Sequence, residues 1–115
     1  MTIERFDPGR RFAQVVAHGD TVYLAGHTAS DASAGVYEQT REILRAIDAH
    51  LAAAGTDRSR LLSASIWLVD IGTFDEMNRA WDEWVDMANL PARATVEARL
   101  ASPDYKVEIA VIAAR

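Results

Sequence analysis

The last strand-like segment of this chain is apolar on both faces, and no other feature restricts its architecture as much. Between Lys106 and Ala113, the side chains of Val107, Ile109, Val111 and Ala113 point one way, and those of Ala110 and Ile112 point the other. An antiparallel sheet usually leaves one face to water, so a two-sided apolar strand needs cover on both sides. The rest of the chain must supply that cover.

Two helices are legible from a change of period. Val36, Thr40, Ile43, Leu44, Ile47 and Leu51 recur at three- and four-residue spacing, with Glu38, Arg41, Glu42, Arg45 and Asp48 in the gaps. That is an amphipathic helix, and Gly55 is placed to stop it. A second helix starts from Thr73 as N-cap, with Glu76 completing a capping box. Its stripe is Phe74, Met77, Trp81, Trp84, Val85 and Ala88, and Pro91 lies just beyond its end.

The β-prone runs are 12–18, 21–25, 61–69, 94–100 and 106–113, with Gly19-Asp20 making a tight hairpin between the first two. Residues 1–11, with Pro8 and Gly9, read as an irregular arm. The order ββαβαββ describes one α+β domain over residues 1–115, a mixed sheet with both helices in crossover connections. Such crossovers are right-handed almost without exception, which puts both helices on one face. The other face is left bare, and self-association in closed symmetry is its simplest cover.

The 115 residues contain no cysteine, which excludes disulfides, thiolate metal sites and cysteine nucleophiles. The formal net charge of −5 argues against a nucleic-acid partner, which needs a basic face. No apolar run has the length to span a bilayer and the start lacks a signal-peptide pattern, so no membrane partner and a cytoplasmic location are expected. His18, His27 and His50 show no metal-ligand spacing, Ser63 and Ser65 no nucleophile elbow, and the glycines no phosphate loop. Tyr23, Trp67, Trp81 and Trp84 read as core or interface.

Two residues stand out chemically. Glu108 lies within the two-sided strand, where a buried carboxylate is costly unless paired or used. A plainer reading is a sheet-end Glu, exposed or bridged to Arg93 or Arg99. Arg93 enters a strand after Pro91-Ala92, and its planar fork suits a carboxylate; the plainer reading is a solvated loop-end Arg.

Several segments together resemble the RidA/YjgF family over nearly the whole chain: Gly19 with Val22-Tyr23-Leu24-Ala25-Gly26, Gln39-Thr40, Ala54-Gly55, Phe74-Asp75-Glu76-Met77-Asn78, Pro91-Ala92-Arg93-Ala94-Thr95-Val96, and Val107-Glu108-Ile109. The resemblance implies a chorismate-mutase-like fold and a homotrimer, with sheets packed inward as a barrel and three clefts between subunits. It implies hydrolysis of reactive enamines and imines, such as 2-aminoacrylate and 2-iminopropanoate, to 2-oxo acids and ammonia without a cofactor or metal. By the same resemblance Arg93 grips the substrate carboxylate and Glu108 positions or deprotonates water, with backbone near Thr95 assisting. Phe12, Ala25, Gly26 and Asn78 fall at positions lining or near the pocket.

The chain departs from the family pattern at four of its positions. Phe12 stands where Tyr is usual, Ala25 where a small hydroxylated residue is usual, His27 where Gln is common and Thr95 where Cys is often found. A less hydroxylated pocket points to a different, bulkier substrate. Two other functions stay open: a trimer that binds a 2-oxo acid without turnover, and the RNA cleavage or translational inhibition attached to some family members.

Overall fold

The computed structural model describes residues 1–115: two helices over one mixed sheet. Its strands are β1 (Ile3–Pro8), β2 (Ala13–His18), β3 (Thr21–Leu24), β4 (Leu61–Leu68), β5 (Ala92–Glu97) and β6 (Val107–Ala114). The helices are α1 (Val36–Ala53) and α2 (Phe74–Trp84). Strand order is β1-β2-β3-β6-β4-β5. The two-sided apolar strand, β6, is therefore central, antiparallel to both β3 and β4. β4 and β5 run parallel and are joined through α2. No helix is long and apolar enough to cross a membrane.

Both helices cover the same face. Val107, Ile109, Val111 and Ala113 are buried with Ile43, Leu44, Ile47, Leu51, Met77 and Trp81 in a single core. Glu108, Ala110 and Ile112 lie half-buried on the opposite face, beside Tyr23 and Val96, which are 45% and 50% exposed. The second apolar face has no cover within one chain.

Three expectations are corrected. Residues 3–8 are not an irregular arm but an edge strand, paired antiparallel from Ile3↔His18 to Pro8↔Ala13; Pro8 is tolerated because it sits at a strand end on the sheet edge. The capping box does not form: Thr73 Oγ1 donates to Asp70 O at 2.6 Å, and Asp70 Oδ1 accepts from Gly72 N at 2.8 Å. The chain thus enters α2 through a short 3₁₀ turn, Ile71–Thr73. α2 also ends at Trp84, because Val85 is extended (ψ 144°), leaving Ala88 in a later turn.

Gly55 ends α1 as expected. At φ +84° its N–H reaches Ala52 O at 3.1 Å, and Thr56 N–H reaches Leu51 O at 3.0 Å, a Schellman closure. A Cβ there would meet nothing within 4 Å, so Gly55→Ala costs only the left-handed backbone. A loss of about 1 kcal/mol is expected, read from the urea midpoint at unchanged slope.

α1 also buries a residue that the periodicity omits. Gln39, fully buried, donates from Nε2 to Asp31 O and Asp104 O, both at 3.1 Å, and accepts Lys106 N–H at 3.0 Å. It ties the loop before α1 to the start of β6. Lys106 Nζ adds bonds to Ala32 O and Ala34 O.

Candidate functional site

Register decides where each candidate side chain points. β5 pairs Ala64↔Arg93 and Ile66↔Thr95, and Ala64 and Ile66 are buried core residues. Arg93 and Thr95 therefore lie on the helix side, at the edge of the sheet. The Arg93 guanidinium carbon sits 5.3 Å from the Trp81 ring centroid and 5.8 Å from that of Phe74, within cation–π range. Phe74, Asn78 and Trp81 share one stripe of α2 by their spacing, so half-buried Asn78 flanks the same group.

Arg93 takes part in none of the chain's salt bridges. Partial burial lowers its pKa, with Asp82 opposing, and it stays charged at neutral pH. On the same face, Thr95 Oγ1 is buried with no hydrogen-bond partner. A half-buried guanidinium with no salt-bridge partner, on the same face as an unpaired hydroxyl, is a donor set suited to a small carboxylate.

Glu108 belongs to a second cluster, on the open face. It pairs with Trp67, and the two line a cleft of about 260 Å³ with Ala98, Arg99, Leu100 and Ala101. Neither Arg93 nor Arg99 bridges it, so the ion-paired reading of Glu108 does not hold within one chain. Its side chain packs directly on Gly26: a Cβ at that position would overlap the carboxylate, with Cδ at 3.0 Å and Cγ at 3.3 Å. Any side chain at Gly26 would displace the Glu108 carboxylate from this position. Ala25 fixes the preceding backbone through its N–H to Gln14 O at 2.9 Å.

Phe12 stands apart, 59% exposed at the turn between β1 and β2, where Gly9 N–H donates to its carbonyl at 2.8 Å. One chain thus brings Gly26, Ala25 and Glu108 together, and separately Arg93, Thr95 and Asn78. It does not bring Arg93 to Glu108. They lie on opposite faces and two strands apart, roughly 10 Å laterally.

His27 turns its ring into the core side, 9% exposed. Nδ1 lies 2.7 Å from Ala25 O, and the His50 ring centroid is 4.8 Å away. Burial lowers its pKa below the usual 6.5, helped by His50 and opposed by the Ala25 carbonyl. The fold favours the neutral ring, so this contribution to stability is complete above pH 6.5 and shrinks as pH falls from there towards the lowered value. The melting temperature is expected to drop on acidification in that window, and to drop less in His27→Leu.

The groove between α1 and α2, about 220 Å³ and lined by Arg41, Arg45, Asp48 and Glu83 among others, contains none of these residues. Its polar groups are partly paired internally, as in Trp84 Nε1 to Asp48 Oδ2 at 2.9 Å. No cluster of three or more His, Asp or Glu side chains is arranged to hold a metal. The sequence reading missed the Phe74–Trp81 platform beneath Arg93. Its signal was available in their i, i+7 spacing around Asn78, but the same pattern also describes a core stripe.

The chain is similar to known proteins over nearly its whole length. The family described as Endoribonuclease L-PSP matches residues 2–115. A RutC family protein of Haemophilus ducreyi is 46% identical over 112 residues, covering 97% of this chain and 96% of its own. The RutC family protein YoaB of Escherichia coli is 44% identical, covering 99% of each. A crystal structure of a YjgF-family member from Neisseria meningitidis superposes with TM-score 0.94 at 39% identity, covering 100% of this chain and 96% of that one. With its whole length matched in sequence and in fold, the chain belongs to the RidA/YjgF family.

Proposed function

We propose that this protein hydrolyses small 2-imino acids of the 2-iminopropanoate type, and their 2-aminoacrylate enamine tautomers, to 2-oxo acids and ammonia. The reaction takes place in clefts between the subunits of a homotrimer. The observation that carries this reading is the separation of two unpaired charges: Arg93 on the helix side of the sheet edge, Glu108 on the open face. A small substrate can touch both only if they come from different copies. The bare apolar face gives those copies a reason to associate.

In this cleft Arg93 of one subunit holds the substrate carboxylate by two hydrogen bonds, and the Thr95 region supports it. That grip fixes the imine carbon against the neighbouring Glu108. Glu108 orients a water and accepts its proton as the oxygen attacks the C=N carbon. Glu108 then returns that proton to the nitrogen of the resulting carbinolamine, which collapses to the 2-oxo acid as the C–N bond breaks, ammonia leaving and the hydroxyl proton passing to Glu108. No cofactor is needed, because a protonated imine is already electrophilic. Phe12 and Ala25, both without hydroxyls, leave the pocket wall apolar.

The test generates 2-iminopropanoate in situ with an amino-acid oxidase in the presence of semicarbazide. The wild type is expected to divert imine from the trap and Glu108→Gln is not. A binding-only trimer remains as a second reading, favoured by the fact that Arg93 needs no chemistry to grip a carboxylate. It predicts no turnover and an affinity for 2-oxo acids that Glu108→Gln leaves intact. RNA as substrate is disfavoured by the net charge of −5, and a flat salt dependence of any RNA retention excludes it.

A further inference from the structure

We infer that His27 is the positioning residue for Glu108, its imidazole holding the turn on which the carboxylate rests. This builds on the proposed role of Glu108. β3 ends at Leu24, and beyond it contact with β6 depends on one isolated bridge: His27 N–H to Ile109 O at 2.8 Å and Ile109 N–H to His27 O at 3.1 Å. Ile109 adjoins Glu108 and Gly26 adjoins His27, so this bridge sets Gly26 beneath the Glu108 side chain.

The imidazole locks that arrangement from the far side of the sheet. A carbonyl can only accept, so the contact from Nδ1 to Ala25 O at 2.7 Å means that Nδ1 carries the hydrogen and closes the 25–27 turn. Nε2 is then a bare lone pair, buried without a partner. The ring lies on the helix side next to His50, whereas the Glu108 carboxylate lies on the open face. His27 therefore does not touch the reacting atoms of the site that Glu108 faces. It acts through the placement of Gly26.

Three measurements test this. In the wild type, ¹⁵N chemical shifts of the His27 ring near pH 7 are expected to report the neutral Nδ1–H tautomer. In His27→Leu, kcat for 2-iminopropanoate is expected to fall roughly tenfold at little-changed KM, with the Glu108 carboxyl titration, followed by ¹³C, displaced from its wild-type position. His27→Asn, whose side-chain amide can replace the Nδ1–H donor, is expected to restore both. An Nε2–H or doubly protonated ring in the wild type overturns the inference even if His27→Leu fails to fold. So does a folded His27→Leu with wild-type kcat and wild-type Glu108 titration. If the wild type shows no turnover while the tautomer and the Glu108 displacement appear as expected, the deaminase reading fails and the positioning role stands.

Discussion

Arg93→Ala is expected to lower kcat/KM for 2-iminopropanoate by roughly a thousandfold while leaving the fold intact. Losing one partner of a desolvated, hydrogen-bonded charge pair costs about 2–5 kcal/mol, and each 1.4 kcal/mol is tenfold in rate. The stability cost is small because Arg93 has no salt bridge to lose. Its stacking on Trp81 and Phe74 goes, at about 0.5–1 kcal/mol per contact, together with a longer-range attraction to Asp82. Arg93→Lys separates charge from shape: it keeps the cation but not the fork, and is expected to recover only part of the loss. A folded Arg93→Ala with near-normal kcat/KM would remove the carboxylate grip from the mechanism.

Gln39→Leu is expected to give the largest stability loss of any single polar substitution considered. The leucine fills a similar volume but satisfies none of Asp31 O, Asp104 O and Lys106 N–H. Leaving a buried polar group unsatisfied costs about 1–3 kcal/mol, so a total near 3 kcal/mol is expected, with the more exposed carbonyls partly rehydrated. Against a usual stability of about 5–15 kcal/mol this is large. Gln39→Glu is expected to be no better, since an acceptor oxygen then faces carbonyls that need donors. Urea denaturation checks both; a shift equivalent to less than about 1 kcal/mol would show that the clamp is dispensable.

Much of the fold was legible because burial follows period. The α1 stripe from Val36 to Leu51, the Gly19 hairpin and the two faces of β6 all lie where periodicity puts them. β1 escaped because its alternation is short and Pro8-Gly9 is a strong local signal for irregular chain, whereas an edge strand needs only one partner. The failed capping box shows that S/T-x-x-E also occurs where the helix is entered through a preceding turn, here capped by Asp70. Gln39 was invisible as a core residue because its burial depends on three backbone groups distant in sequence or across a loop. Arg93 and Glu108 stood out in the sequence by residue type and strand position, and the family resemblance supplied the roles proposed for them. Their opposite facing was implicit in strand parity but needed the register of β4 with both neighbours. The contact between Gly26 and Glu108, and the ring of His27 beneath it, depend on a bridge outside any regular strand, and no local pattern announces it.

The most direct test of the central claim, that the site forms between copies, is complementation. Arg93→Ala and Glu108→Gln are each prepared as inactive chains, then unfolded, mixed in equal amounts and refolded together. If Arg93 acts with the Glu108 of a neighbouring chain, random assembly rebuilds about a quarter of the sites with both residues intact, and the mixture regains a corresponding share of wild-type turnover. A mixture that assembles into oligomers yet stays as inactive as its parents would contradict the account.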